Sequence, residues 1–180
     1  MAIKFLFASS SNGTVIRKLW KLIPESFFGI LTDCNCGARD FAFDQEISHF
    51  DFQNWNEIPN DIPILLVGFK KILQTHHLNS RKVYNIHPSL LPLHSGWNEN
   101  VHKSVLQSGQ KISGVTLHEV SEQVDGGNIL WQFPVPVNKD DTLVSLKDRC
   151  QKVETFMCLN FISGKQNNLW WDSCVEFLDL

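Results

Sequence analysis

The chain has 180 residues, 43% of them hydrophobic and 19% charged, with a formal net charge of −3. That length suits one compact domain with an ordinary core. The acidic balance gives no sign of a nucleic-acid footprint, and no apolar run approaches the ~18 residues of a membrane span. Five cysteines in irregular spacing, with Cys34-x-Cys36 lacking the partners of a zinc site, point to reduced thiols and a cytoplasmic location. The apolar core of Met1 to Ser10 is too short for a signal peptide. Ile3 to Ala8 instead reads as a buried first strand.

A small polar loop, Ser9 to Thr14, leads into a helix whose apolar residues are Val15, Ile16, Leu19, Trp20 and Ile23. Ser11 or Asn12 could simply cap that helix, or its free amides could hold a phosphate. Phe27 to Leu31 reads as a strand, Thr32 to Gly37 as a turn, and Ala38 to Gln45 as a short helix. Ile47 to Phe52 reads as a strand and Asn54 to Asn60 as a loop. Pro63 to Gly68 is a further buried strand. Lys70 to Leu78 reads as one short helix and Arg81 to Ile86 as the next strand. A helix follows from about Glu99 to Ser108, capped by Gly109. Ser113 to Val120 and Asn128 to Val137 are strand patterns, and Pro134 and Pro136 argue that the second lies at an edge. Asp140-Asp141-Thr142 opens the longest helix, which Gly164 ends. A tail with Leu169, Trp170, Trp171, Val175, Phe177 and Leu178 is expected to pack on the body or to cover a partner surface. Strands alternating with helices imply an α/β fold with a mostly parallel sheet.

The stretch Val83 to Pro92 carries the most information. Asn85 and His87, two residues apart on an extended chain, point to one face. Pro88 lacks an amide hydrogen and ends the strand at His87. Two polar side chains therefore arrive together at the carboxyl end of a strand, where open α/β sheets bind ligands. Asp125, before Gly126-Gly127, could join them or could be a turn residue. His76, His77, His94 and His102 lack a consistent ligand spacing, so no metal is expected.

In motif order the sequence resembles the 10-formyltetrahydrofolate-dependent formyltransferases, above all those acting on glycinamide ribonucleotide. The matching pieces are Ser11-Asn12-Gly13-Thr14, Gly68 to Leu73, Asn85 to Pro92, Ser113 to His118, and Val124 to Gly127. The resemblance implies a single Rossmann-like domain over residues 1–180, with a mostly parallel twisted sheet, an antiparallel edge strand and helices on both faces. Residues 1–110 would form a nucleotide-binding-like half and 111–180 the folate side. It implies an enzyme that passes a formyl group from 10-formyltetrahydrofolate to a primary amine, with glycinamide ribonucleotide of de novo purine biosynthesis as first choice. A nucleotide-linked amino sugar, or a non-catalytic folate-binding scaffold, is the alternative.

Carried over residue by residue, the catalytic triad falls on Asn85, His87 and Asp125. The pterin is expected against Lys70, Lys71, Ile72 and Leu73 and the backbone of Ser121, Glu122, Gln123, Val124 and Asp125. The amine, a small and phosphorylated molecule, is expected at Ser11, Asn12, Gly13, Thr14, Pro88 and Glu154. No metal, nucleic acid or membrane partner is implied, and His118 is expected to support by hydrogen bonding. The loop departs from the family pattern at Ser11 and at Val15, which cannot donate a side-chain hydrogen bond. The Trp170-Trp171 tail is a candidate homodimer contact or acceptor-side cover.

Overall fold

Seven strands form one sheet in the order β3-β2-β1-β4-β5-β6-β7. The structure, a computed structural model, describes residues 3–79, 81–96 and 98–164, without the side chains of 98–100. The expected tail contacts of Leu169 to Leu178 lie outside the described residues. Strands β1 (Phe5–Ala8), β2 (Phe27–Thr32), β3 (His49–Asp51), β4 (Ile64–Val67) and β5 (Val83–His87) run parallel. Strand β6 (Ile112–Glu119) is antiparallel to β5, and β7 (Ile129–Pro136) is antiparallel to β6. Strand β7 is an edge, as its prolines require.

The central strands are apolar on both sides because both faces of the sheet are covered. Phe5 and Phe7 of β1 and Leu65 and Val67 of β4 enter one core. Against them pack α1 (Thr14–Leu22), α2 (Gly37–Asp44), α4 (Asn98–Ser108) and α5 (Leu143–Ile162). Leu6, Ala8, Ile64 and Leu66 point the other way, into a core with Trp55, Ile58, Phe69 and Leu73. That face is covered by a 3-10 segment, Phe52–Glu57, and by the four-residue α3 (Thr75–Leu78).

Two local expectations need correction. Lys70 to Leu78 is not one helix, since only Thr75–Leu78 is helical. Gly68 turns the chain through a left-handed conformation, φ 68°, and the Lys70 amide donates to Ser10 Oγ at 2.8 Å. The segment is thereby held against the first loop. Neither Ser11 nor Asn12 caps α1: the cap position is Gly13, φ 66°, and no side chain bonds the helix start. At Gly13 and at the neighbouring Gly37 an added Cβ would press on Ala38 and on Asn12 respectively. The first loop is therefore packed tightly onto the start of α2.

Strand order reverses between β1 and β4, which lie side by side while their neighbours diverge. The loops leaving the carboxyl ends of these two strands flank a crevice, as expected at a topological switch point.

Candidate active site

His87 ends β5 and is 3% exposed, and Asn85 lies two residues earlier on the same side of the strand. Antiparallel pairing sets His118 of β6 opposite Asn85 and Thr116 opposite His87. The chain beyond His87 is fastened to β6 and β7. Thr116 Oγ1 donates to the Ser89 carbonyl at 2.6 Å and accepts from the Leu91 amide at 3.0 Å. Gln132 donates to both Thr116 Oγ1 and the Leu91 carbonyl. Gly114 lets Leu90 approach, since a Cβ there would overlap its side chain. The orientation of His87 thus follows from a hydrogen-bonded loop and close β6 packing.

Asp125 reaches the same place from the β6–β7 connection. It holds a left-handed conformation, φ 53°, in a turn closed by the Gly126 amide on the Gln123 carbonyl. Gly127 must lack a side chain because a Cβ would collide with the Glu119 carbonyl. Asp125 Oδ1 is 3.6 Å from His87 Nδ1 and 3.8 Å from His118 Nε2, and its side chain is 9% exposed. Asp125 Oδ2 accepts the Gly96 amide at 2.8 Å.

The hydrogen-bond partners fix the tautomers. His87 Nε2 lies 2.7 Å from the His94 carbonyl, which also accepts from Ser89 Oγ, so Nε2 carries a proton. Nδ1 is then the atom of His87 that faces Asp125. His118 Nδ1 donates to the Glu119 carbonyl at 2.8 Å, leaving Nε2 to accept from Asn85 Nδ2 at 3.1 Å. Burial lowers the pKa of His87 below the usual imidazole value, and the Asp125 carboxylate pulls it back up.

Asn85, His87, His118 and Asp125 line one end of a cleft of about 170 Å³. Its walls are Leu66, Ile72, Leu73 and Val124, with Lys71, Ser121 and Gln123 at the rim. Of the residues expected to contact the pterin, these positions take part. Lys70 instead lines a neighbouring cleft, and Glu122 lines neither, its Oε1 accepting from Thr75 Oγ1 at 2.6 Å.

The second cleft, about 600 Å³, is lined by Ser10 to Val15 on one side and by Lys147, Gln151 and Glu154 of α5 on the other. Ser11, Asn12, Gly13, Thr14 and Glu154 thus line one cleft. Pro88 is buried and lines neither cleft. Gly68 and Phe69 line both, and so form the partition between them. Glu154 is 7% exposed, and burial raises its carboxyl to about 7 against the pull of Lys147 and Lys18.

Sequence reasoning missed the main-chain contributions of His94 and Gly96, which leave no side-chain signal. Lys147 and Gln151 could have been found, because they precede Glu154 by seven and three residues on one helix face. Two of the histidines that invite a metal reading make other hydrogen bonds. The ring of His94 contacts Ser104 Oγ and Gln110 Oε1, and His77 Nδ1 accepts the Gln74 amide.

Two clefts lie at the carboxyl edge of an open α/β sheet, and Asn85, the buried His87 and Asp125 meet at one of them, which makes this edge the candidate active site. Comparison with known proteins identifies the family. Residues 44–162 match the family model described as formyl transferase. Phosphoribosylglycinamide formyltransferase of Haemophilus influenzae is 38% identical over 94 residues, 51% of this chain and 43% of that protein. The trifunctional purine biosynthetic protein adenosine-3 of Bos taurus is 38% identical over 122 residues, 67% of this chain and 11% of that protein. The chain spans well under two thirds of the length of these curated relatives. Among solved structures, phosphoribosylglycinamide formyltransferase from Anaplasma phagocytophilum superposes with a TM-score of 0.80 at 26% identity, covering 91% of this chain and 86% of that one. The chain belongs to the formyl transferase family.

Proposed function

We propose that this protein transfers a formyl group from 10-formyltetrahydrofolate to the primary amine of glycinamide ribonucleotide, a step of purine biosynthesis. The observation that carries this reading is the Asp125 carboxylate 3.6 Å from His87 Nδ1, at the end of a cleft with apolar walls and a polar rim. A flat heterobicycle with a polar edge suits Ile72, Leu73 and Val124 as walls and the backbone of Ser121 to Asp125 as hydrogen-bonding edge. The second cleft, across Gly68 and Phe69, takes the amine. Its helix start lacks a side-chain cap, which suits a phosphate.

In the transfer, a bond forms between the amine nitrogen and the formyl carbon while negative charge builds on the formyl oxygen. Asn85 Nδ2 has two hydrogens. His118 Nε2 holds one, and the other serves the oxyanion. His87 Nε2–H is committed to the His94 carbonyl, so His87 works through Nδ1 as an acceptor and as a partner for Asp125. The Asp125–His87 pair takes the proton of the attacking amine, directly or through one water. It returns that proton to the folate nitrogen as the old carbon–nitrogen bond breaks. The lowered pKa of His87 keeps it neutral and able to accept near pH 7.

Unpaired Cys34, Cys36, Cys150 and Cys158 suit a reducing compartment such as the cytoplasm. The test is formyl release from 10-formyltetrahydrofolate with a panel of amines. Turnover dependent on glycinamide ribonucleotide is the expected result. Turnover only with a nucleotide-linked amino sugar would replace the acceptor, and folate binding without turnover on any amine would leave a scaffold.

A further inference from the structure

His94 and Gly96 lie two residues apart on one short segment, and their main-chain groups hold two residues of the candidate site. The His94 carbonyl is 2.7 Å from His87 Nε2, and the Gly96 amide donates to Asp125 Oδ2 at 2.8 Å. Ser89 Oγ donates to the same carbonyl at 2.7 Å. Little else holds the segment. Leu93 and Ser95 are exposed, and a Cβ at Gly96, φ 110°, would meet nothing.

Among the described residues, the hydrogen bonds made by side chains of this segment are those of the His94 ring alone. The ring is half-buried between its exposed neighbours and reaches across to α4 and its exit. Nδ1 lies 3.0 Å from Ser104 Oγ, and Nε2 lies 2.8 Å from Gln110 Oε1. An amide oxygen only accepts, so Nε2 carries the ring proton and Nδ1 takes the hydroxyl hydrogen of Ser104. The anchor is firm. Val101 and Val105 of α4 are buried, and Gln110 leads directly into β6.

This tether matters because two groups compete for the single proton of a neutral His87. Asp125 Oδ1, 3.6 Å from Nδ1, draws the proton to that side. The His94 carbonyl draws it to Nε2 across a shorter contact and prevails while it stays in place. A drift of about 1 Å would carry the carbonyl out of hydrogen-bond range. The carboxylate would then win the proton for Nδ1, and Nδ1 could no longer accept one.

We propose that His94 is a positioning residue: its ring, pinned by Ser104 and Gln110, keeps one carbonyl on His87 and one amide on Asp125, and so holds His87 in the tautomer whose Nδ1 is open to a proton. This rests on the acid–base reading above and deepens it.

The test compares the full-length wild type with His94→Phe, Gln110→Leu and Gln110→Glu. His94→Phe keeps a flat ring and removes both hydrogen bonds. Gln110→Leu removes one of them from outside the segment, and serves alone if His94→Phe folds poorly. Gln110→Glu keeps the acceptor oxygen. Nitrogen NMR of the histidine rings at about pH 8, where an imidazole is neutral, reads the tautomer. His87 should be protonated at Nε2 in the wild type and in Gln110→Glu. An Nδ1-protonated form should appear in His94→Phe and Gln110→Leu. In the transfer assay, kcat should fall by about tenfold in those two variants, with both KM values within about twofold of wild type. Gln110→Glu should stay within about threefold in kcat. His87 still protonated at Nε2 in both His94→Phe and Gln110→Leu would overturn the proposal whatever the activity, because a merely structural role leaves the tautomer alone. So would wild-type kcat in both variants, or a wild-type His87 already protonated at Nδ1. If the tautomer shifts as expected but the wild type formylates no amine, the positioning of His87 stands and the transfer reading falls.

Discussion

Asp125 occupies its position because three neighbouring constraints leave it no other. The turn closes on the Gln123 carbonyl, Gly127 lies against the Glu119 carbonyl, and the Gly96 amide holds Oδ2. A residue other than glycine in a left-handed conformation is strained, and such strain persists only where its surroundings enforce it. Gly127→Ala should therefore push the turn away from β6 and carry the carboxylate with it. We expect about 1–3 kcal/mol of lost stability from overpacking, and at least a tenfold fall in kcat/KM, because a displacement near 1 Å is felt that strongly in catalysis. Thermal unfolding and steady-state kinetics check this. A variant with wild-type values for both would remove Gly127 from the account. At this scale the sequence was readable where side chains share a face of one strand. Asn85 and His87 share a face by period two, and Pro88 ends their strand. The carbonyl of His94 and the amide of Gly96 act through the main chain, so no residue type announces them.

Helix α5 joins the edge strand to the second cleft, and its start is fastened by side chains. Thr142 caps it by accepting from the Ser145 amide. Arg149 makes two bonds to Asp141, at 2.8 and 2.9 Å, and a third to the Pro136 carbonyl at the end of β7. The Arg149 guanidinium holds the Asp141 carboxyl well below the usual carboxylate range. A depressed folded-state pKa means that the pair stabilises the fold above the unfolded value of 3.8, and that this stabilisation is lost as pH falls through the lower folded value. Asp141→Asn should thus lower the stability at pH 7 by roughly 1–2 kcal/mol, or about 2–4 °C in Tm per kcal/mol. The gap from wild type should narrow below about pH 4. An undiminished gap at pH 3 would contradict it. Elements themselves were largely readable from periodicity, with one instructive exception. Phe69, Leu73 and His77 are all buried and fall four residues apart, which imitates a helical stripe. The first five residues after Phe69 instead run along the partition between the clefts, held by Ser10 and turned by Gly68.

Across the whole molecule, the sheet order brings together residues that the chain keeps far apart. Strand β5 supplies Asn85 and His87, the β6–β7 turn supplies Asp125, the loop after β5 supplies two main-chain groups, and α5 supplies the far wall of the second cleft. Alternating strands and helices made the α/β architecture readable, and the motif order made the family readable. Which cleft each residue lines was not, because that depends on the side of β4 from which it approaches: Leu66 faces the first cleft and Val67 the second. The central claim is that this convergence places a proton acceptor beside the reacting carbonyl. The most direct measurement is kcat for Asp125→Asn, which keeps the size of the side chain and an oxygen for the Gly96 amide while removing the charge. With fold and folate binding confirmed as wild-type, turnover should fall by at least ~100-fold. Turnover within a few fold of wild type would contradict the account.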